Sequence, residues 1–410
     1  QVFDASVAGN DISSTPRTQS HWATILIGGM RFGGACRDNT ATCTDCVKSP
    51  LTGKGFSSYF AIDVTDPETP SVLWEFSDAA LGFATTGPSI VRINARNASD
   101  IPDKSLKGSW YAVFGSGPTG PISNRQFLGH SDQNLKLFII DIKTGTLNRT
   151  IDTGIPHAFA GSMINATADF DLDYTDDVIY IGYVKGDGGS PENWNQGGVL
   201  RLQTKGSVNP NDWVASKVIE GSGTQNVGPV TSSVVRLQNN NFGTNWLYFG
   251  AGRYYFAIPG NSDDPTVQRK LFGIKEPCFT VLTSRGTKTI DPSCTASVDV
   301  ATLINVDTTF PTETVANGAG FKGWYIPLDS GTSAIAYDNT GTRIYQTERV
   351  ITDPLALTSG VVFFTTYRPY NEACAIGGRT FLWAVQYNTG GVAPAIALQG
   401  KALMQVSTAS

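Results

Sequence analysis

Gly87-Pro-Ser-Ile-Val-Arg92, Trp110-Tyr-Ala-Val-Phe-Gly-Ser-Gly117, Leu137-Phe-Ile-Ile-Asp141 and Thr146-Leu-Asn-Arg-Thr-Ile151 follow one another as one unit, the last two joined by the turn Ile142-Lys-Thr-Gly145. Short runs rich in β-branched and aromatic residues, bounded by Gly, Pro, Asn and Asp, read as strands. The same order returns on either side. Upstream are Trp22-Ala-Thr-Ile-Leu-Ile-Gly28, Ser58-Tyr-Phe-Ala-Ile-Asp63 and Val72-Leu-Trp-Glu-Phe76; downstream are Gly161–Asn165, Val178-Ile-Tyr-Ile-Gly182, Gly198–Leu202 and Ser216–Ile219. A fourth unit runs through Pro229–Arg236, Trp246-Leu-Tyr-Phe-Gly250 and Arg269–Ile274, and a last through Ile351–Leu357, Gly360-Val-Val-Phe-Phe-Thr365 and Phe381–Tyr387.

Second strands begin near residues 24, 110, 178, 246 and 361, and the last gap leaves room for one degenerate unit in the less regular stretch 276–346. That gives six or seven units, with seven preferred. A unit apolar on both faces cannot stand alone and must bury them against its neighbours. Radial stacking meets that requirement, so the expected fold is all-β, a single-domain β-propeller of mostly four-stranded blades. Two tandem sandwiches would need a linker near the middle, where no Pro/Ser-rich stretch occurs. Residues 1–20 are polar and partly irregular, with order beginning near Trp22; the propeller covers 21–395, and 396–410 is a C-terminal strand or tail.

Charged residues are only 16% of the 410, against 44 Gly and 21 Pro, a mixture that favours strands and turns over long helices. The net charge of −5, without a Lys/Arg cluster, argues against nucleic acid or an anionic membrane as partner. No run of 18 apolar residues offers a membrane-spanning helix. No signal peptide begins at Gln1, which suits either a processed mature chain or a trimmed one.

The chemical focus is Asp169-Phe-Asp-Leu-Asp-Tyr-Thr-Asp-Asp177, with carboxylates at relative positions 1, 3, 5 and 9. A hard cation such as calcium takes six to eight oxygens, and Asp at alternate positions of a tight loop can turn inward together. Asp169, Asp171, Asp173 and Asp177 would ligate through side chains and Thr175 through its carbonyl. The match to an EF-hand loop is partial, because Tyr174 stands at the Gly position and Tyr180 at that of the closing Glu. The β-rich segment that follows makes this a calcium loop between strands. The alternative is a solvated acidic turn without an ion.

Cys36, Cys43, Cys46, Cys278, Cys294 and Cys374 form an even set that suits an oxidising, secreted context. Cys278 and Cys294 are an easy local pair, and a Cys36–Cys374 bridge would follow from ring closure. Cys43-Thr-Asp-Cys46 raises zinc, redox and haem readings, but no second CxxC accompanies it and Val47 follows where haem attachment needs His. His21, His130 and His157 are far apart in sequence. Asp63 and Asp141 end strands before turns, where Asp caps backbone amides. No catalytic constellation is visible, so an enzyme is not expected.

Several stretches together resemble the C-terminal propeller of the PilC/PilY family of type IV pilus tip-associated proteins. They are Trp22–Gly29, Tyr59-Phe-Ala-Ile-Asp-Val-Thr-Asp-Pro67, Leu73-Trp-Glu-Phe-Ser77, Tyr111–Gly117, Phe321-Lys-Gly-Trp-Tyr325 and Gly360–Thr366. The resemblance implies a secreted, extracellular protein at the pilus tip, reached through the periplasm. It implies minor pilins as partners, roles in pilus biogenesis, twitching motility and adhesion to a host or abiotic surface, and a Ca2+ loop that regulates extension and retraction. The large N-terminal half usual in that family is absent from this sequence. The enzyme alternative is a PQQ-type oxidoreductase, whose propeller repeats Trp-bearing blades and Thr-Gly turns such as Thr144-Gly145, although its usual adjacent cysteine pair is missing.

Overall fold

The computed structural model describes residues 1–8, 14–32, 56–120, 122–123, 126–190, 192–222, 225–255, 266–282, 287–331, 334–336, 342–370 and 377–393. Within them the repeated units fold as antiparallel meanders. The first sheet takes Val2–Ala5, Ala23–Gly29, Tyr59–Asp63 and Ser71–Phe76 in chain order, and the second Ser89–Ile93, Ser109–Gly115, Lys136–Asp141 and Leu147–Asp152. In the third, the opening strand is split into Ala158–Ala160 and Thr167–Ala168, both paired with Val178–Lys185, and Gln196–Gln203 and Val214–Glu220 follow. The fourth holds Val235–Asn239, Thr244–Gly250, Lys270–Lys275 and Gly323–Pro327. In the fifth, Arg349–Val350 and Leu355–Ala356 flank Val361–Pro369 on one side and Gly378–Gln386 on the other.

Period-2 alternation then decides the stacking, because successive side chains leave opposite faces of a strand. In Ser109–Gly115, Ala112 and Phe114 join a core with Ile25, Tyr59 and Trp74 of the first sheet, while Tyr111 and Val113 join one with Ile179 and Leu200 of the third. In Val178–Lys185, Ile179 and Ile181 look back to the second sheet, and Tyr180 looks forward to Leu247 and Phe272 of the fourth. Tyr248 and Leu271 of the fourth sheet pack on Val362 and Phe364 of the fifth. The middle sheets thus bury one face on the preceding sheet and the other on the next. This is the blade arrangement of a β-propeller.

Turns lock neighbouring sheets together. Asp141 Oδ1 accepts from the amide and hydroxyl of Thr144, and Asp63 Oδ1 does the same for Thr65, so both aspartates form turns as expected. Gly145 follows at φ +71° with Trp74 so close that a Cβ would sit 2.5 Å from it, and Trp74 Nε1 donates to the Ile142 carbonyl at 2.7 Å. Only glycine fits there without strain.

Five sheets of this kind lie among the described residues, against the six or seven expected from repeat spacing. The long gap before residue 361 is largely an excursion between the third and fourth strands of the fourth sheet. It contributes the hairpin Phe279–Leu282/Thr287–Ile290, then Val298–Asp299 in parallel beside Val214–Glu220, then Ile304–Asn305 in parallel beside Gly323–Pro327. The expectation that order begins near Trp22 is corrected, because Val2–Ala5 pair residue by residue with Ala23–Leu26. Among the described residues the one α-helix is Glu313–Asn317. Cys278 and Cys294 have their sulfurs at disulfide distance, with Cα atoms 5.6 Å apart. Cys36, Cys43, Cys46, Cys374 and the expected 396–410 strand lie outside the described residues.

Candidate metal site

The acidic stretch links Thr167–Ala168 to Val178–Lys185, and Ala168 pairs directly with Val178. Nine intervening residues must therefore fold back within one bend. Leu172 and Tyr174 make the reversal at φ 59° and 72°. The bend is pinned by its own carboxylates: Asp169 accepts from the amides of Asp173 at 3.2 Å and Tyr174 at 2.9 Å, and Asp177 Oδ2 accepts from that of Phe170 at 2.9 Å.

This folding brings carboxylate oxygens of Asp169, Asp171 and Asp177 within 4.8 Å of one another. Asp173 stands outside that trio and accepts instead from the Thr175 amide at 2.7 Å. Asp173 and Thr175 nevertheless line the same cavity as Asp171 and Asp177, of about 170 Å³. Thr175 is buried and its hydroxyl meets the Asn94 amide at 3.4 Å.

The electrostatics are costly for an empty loop. Burial, added to the charges of Asp171 and Asp169, pushes the Asp177 carboxyl up to about 7. Asp169 is raised by burial and by Asp173. The neighbouring Asp176 rises to about 6, chiefly through burial, while its Oδ2 accepts from the Arg92 amide at 2.7 Å. Crowded carboxylates in a partly dry pocket prefer protonation unless a cation neutralises them. An all-oxygen donor set suits a hard divalent ion, and no sulfur or imidazole is present in it to favour a softer one.

Several contributors were not visible as local sequence. Thr289, in the excursion hairpin, is buried and hydrogen-bonds the Asp177 carboxylate. Gln203, at the end of the next strand, and Lys205, just beyond it, line the cavity. From the second sheet, Arg92 Nε donates to the Tyr174 carbonyl, its Nη2 lies 4.0 Å from Asp169 Oδ2, and Asn94 donates to the Asp173 carbonyl. The Tyr174 ring has the Arg92 guanidinium 4.8 Å and the Lys104 ammonium 5.0 Å from its centroid. This pair of cation–π contacts offsets the cost of an aromatic residue in the left-handed region.

The histidines form no cluster: His21 meets Thr18, His130 stacks on Trp194 at 4.6 Å, and His157 Nδ1 lies 2.8 Å from Glu192 Oε1.

No protein-family model matches the chain. A type IV pilus biogenesis factor PilY1 homolog of Xylella fastidiosa is 27% identical over 416 aligned residues, covering 94% of this chain and 23% of that protein. The type IV pilus biogenesis factor PilY1 of Pseudomonas aeruginosa PAO1 is 24% identical over 425, covering 90% and 29%. The chain therefore spans under a third of the length of these curated relatives. The crystal structure of the P. aeruginosa PilY1 C-terminal domain superposes with a TM-score of 0.57 at 18% identity, covering 94% of this chain and 71% of that one. The homologues of this chain are thus PilY1 type IV pilus biogenesis factors, in agreement with the family resemblance carried by its sequence motifs.

Proposed function

We propose that this homologue of the PilY1 pilus biogenesis factors is a calcium-responsive, non-enzymatic module of the type IV pilus tip. It would act outside the cell, support pilus assembly with minor pilins as partners, and couple calcium to extension, retraction and surface adhesion. The observation that supports the calcium reading is the convergence of Asp169, Asp171 and Asp177 oxygens within 4.8 Å of one another, with Asp171 and Asp177 opening onto one small cavity. Asp173, released from the Thr175 amide, and the Thr175 carbonyl would complete the cage. The homologues are biogenesis factors, so the PQQ-type oxidoreductase reading is not favoured.

In this reading calcium acts through the ties already present around the loop. Neutralising Asp169 and Asp177 removes the repulsion across the bend and fixes it against Arg92 and Asn94 of the second sheet and Thr289 of the excursion. Leu172 and Tyr174, both exposed at the tip, would then be held in one arrangement for a partner.

Titration calorimetry with calcium tests the ion. Wild type should give a saturable heat that Asp171→Asn abolishes, and a hundredfold excess over the dissociation constant should add about 2.7 kcal/mol of stability. Equal heats for the two proteins would defeat the calcium assignment. Capture of minor pilins with and without calcium then tests the coupling.

A further inference from the structure

A second cavity, of about 370 Å³, lies where the five sheets converge. All five contribute to its wall: Arg31 and Phe32 follow the second strand of the first sheet, Thr86 precedes the second sheet, Ser162 lies between the two halves of the third sheet's opening strand, Tyr254 follows the second strand of the fourth, and Ile351 follows the first short strand of the fifth. In a radial arrangement that position is the hub. The volume falls within the roughly 300–1,000 Å³ of small-molecule sites.

Three features of the lining point to a ligand. Phe32 and Tyr254 remain 41% and 44% exposed, and Ile164 and Ile351 are exposed beside them, so apolar surface that a monomer normally hides is gathered at one concavity. The threonine hydroxyls present mainly lone pairs, because Thr231 donates to the Gly252 carbonyl at 2.9 Å and Thr86 is engaged with Tyr59 and Gly115, whereas Ser162 Oγ accepts from Ser233 Oγ at 3.0 Å and keeps its proton to donate. Arg31 lines the cavity and holds a left-handed φ of 51°, an arrangement costly for a non-glycine residue and common at binding sites.

Aromatic faces, hydroxyl acceptors and one fork of guanidinium donors are complementary to a ring with an apolar face, several hydroxyl donors and one carboxylate. We propose that the hub cavity binds a sugar acid of the hexuronate class, its ring against Phe32 or Tyr254 and its carboxylate on Arg31. This site is separate from the acidic loop. Because Arg31 and Ile351 come from the first and fifth sheets, the ligand would bridge the two ends of the series.

The test is ligand-observed NMR and calorimetry on the whole chain with D-glucuronate, D-glucose and acetate as probes. Glucuronate should bind with saturation, glucose about tenfold more weakly for want of the carboxylate, and acetate more weakly still for want of the ring. Arg31→Gln should weaken glucuronate about tenfold without changing glucose, and Arg31→Lys should recover part of the loss. Tyr254→Ala should weaken both sugars. Asp171→Asn, which disables the proposed calcium loop, should leave glucuronate binding intact. The proposal is overturned if glucuronate shows no saturable binding, if acetate matches it, or if Arg31→Gln leaves its affinity unchanged.

Discussion

Arg92 grips Tyr174 twice, donating from Nε to its carbonyl while its guanidinium lies 4.8 Å from the ring centroid. Arg92 belongs to the second sheet and Tyr174 to the acidic bend of the third, so the bend is anchored across a blade boundary by the residue whose backbone fits it worst.

Replacing Tyr174 should therefore separate strain from anchoring. Tyr174→Ala keeps a side chain at positive φ and loses both cation–π contacts, which should cost about 1–2 kcal/mol. Tyr174→Gly loses the same contacts but relieves the strain, and should stay within about 1 kcal/mol of wild type. Urea denaturation in chelator gives the ranking, and an alanine variant as stable as the glycine one would show that the left-handed backbone carries no penalty.

Asp177→Asn should act in opposite directions with and without the ion. Without calcium, removing a buried charge that faces Asp171 and Asp169 should raise the melting temperature by a few degrees. With calcium, the variant should gain nothing from millimolar additions that stabilise wild type. Melting curves in chelator and in calcium show both effects at once.

Acid should weaken the protein partly through His130. Burial against Trp194 and the nearby Arg253 charge push this imidazole down to about 4, below its unfolded value near 6.5. The folded state therefore binds fewer protons, and the contribution of His130 is full above pH 6.5 and is lost as the pH falls from there to about 4. With partial exposure discounted, the loss should be about 2 kcal/mol. His130→Phe should show a correspondingly flatter stability profile between pH 7 and 4, measured by denaturation in chelator so that the loop is empty throughout.

The ion pair Arg201–Glu276 is fully buried between the third and fourth sheets, beside the buried Tyr180. Arg201→Ala should cost about 3–5 kcal/mol because it leaves Glu276 charged and unpaired in the interior. Arg201→Met with Glu276→Leu should recover most of that loss. A double variant as unstable as the single one would mean that the pair also orders its surroundings.

What the sequence revealed follows the range of the contacts involved. The four-strand units and the Asp63 and Asp141 turns were legible because period-2 patterns and Asx turns are local. Asp169, Asp171 and Asp177 were legible as a group because a tight bend between paired strands forces them together. Asp173 departed because a free backbone amide, that of Thr175, competed for its carboxylate. Thr289, Arg92 and Asn94 reach the loop from more than 75 residues away in sequence, and nothing local marks them. Val2–Ala5 carries no strand signal in sequence, because a four-residue strand containing Asp4 lacks an apolar run. In sequence the excursion leaves room for a degenerate unit, because its two-residue parallel strands carry no periodicity.

Those two short strands have a further effect on how the molecule behaves in a crowd. Val298–Asp299 and Ile304–Asn305 lie along the outer edges of adjacent sheets, where bare amides and carbonyls would otherwise template pairing with another copy. The excursion thus covers two residues of each outer strand and leaves fewer bare amides and carbonyls there for another chain to pair with, and the Cys278 and Cys294 sulfurs, at disulfide distance, draw its first part into a short loop.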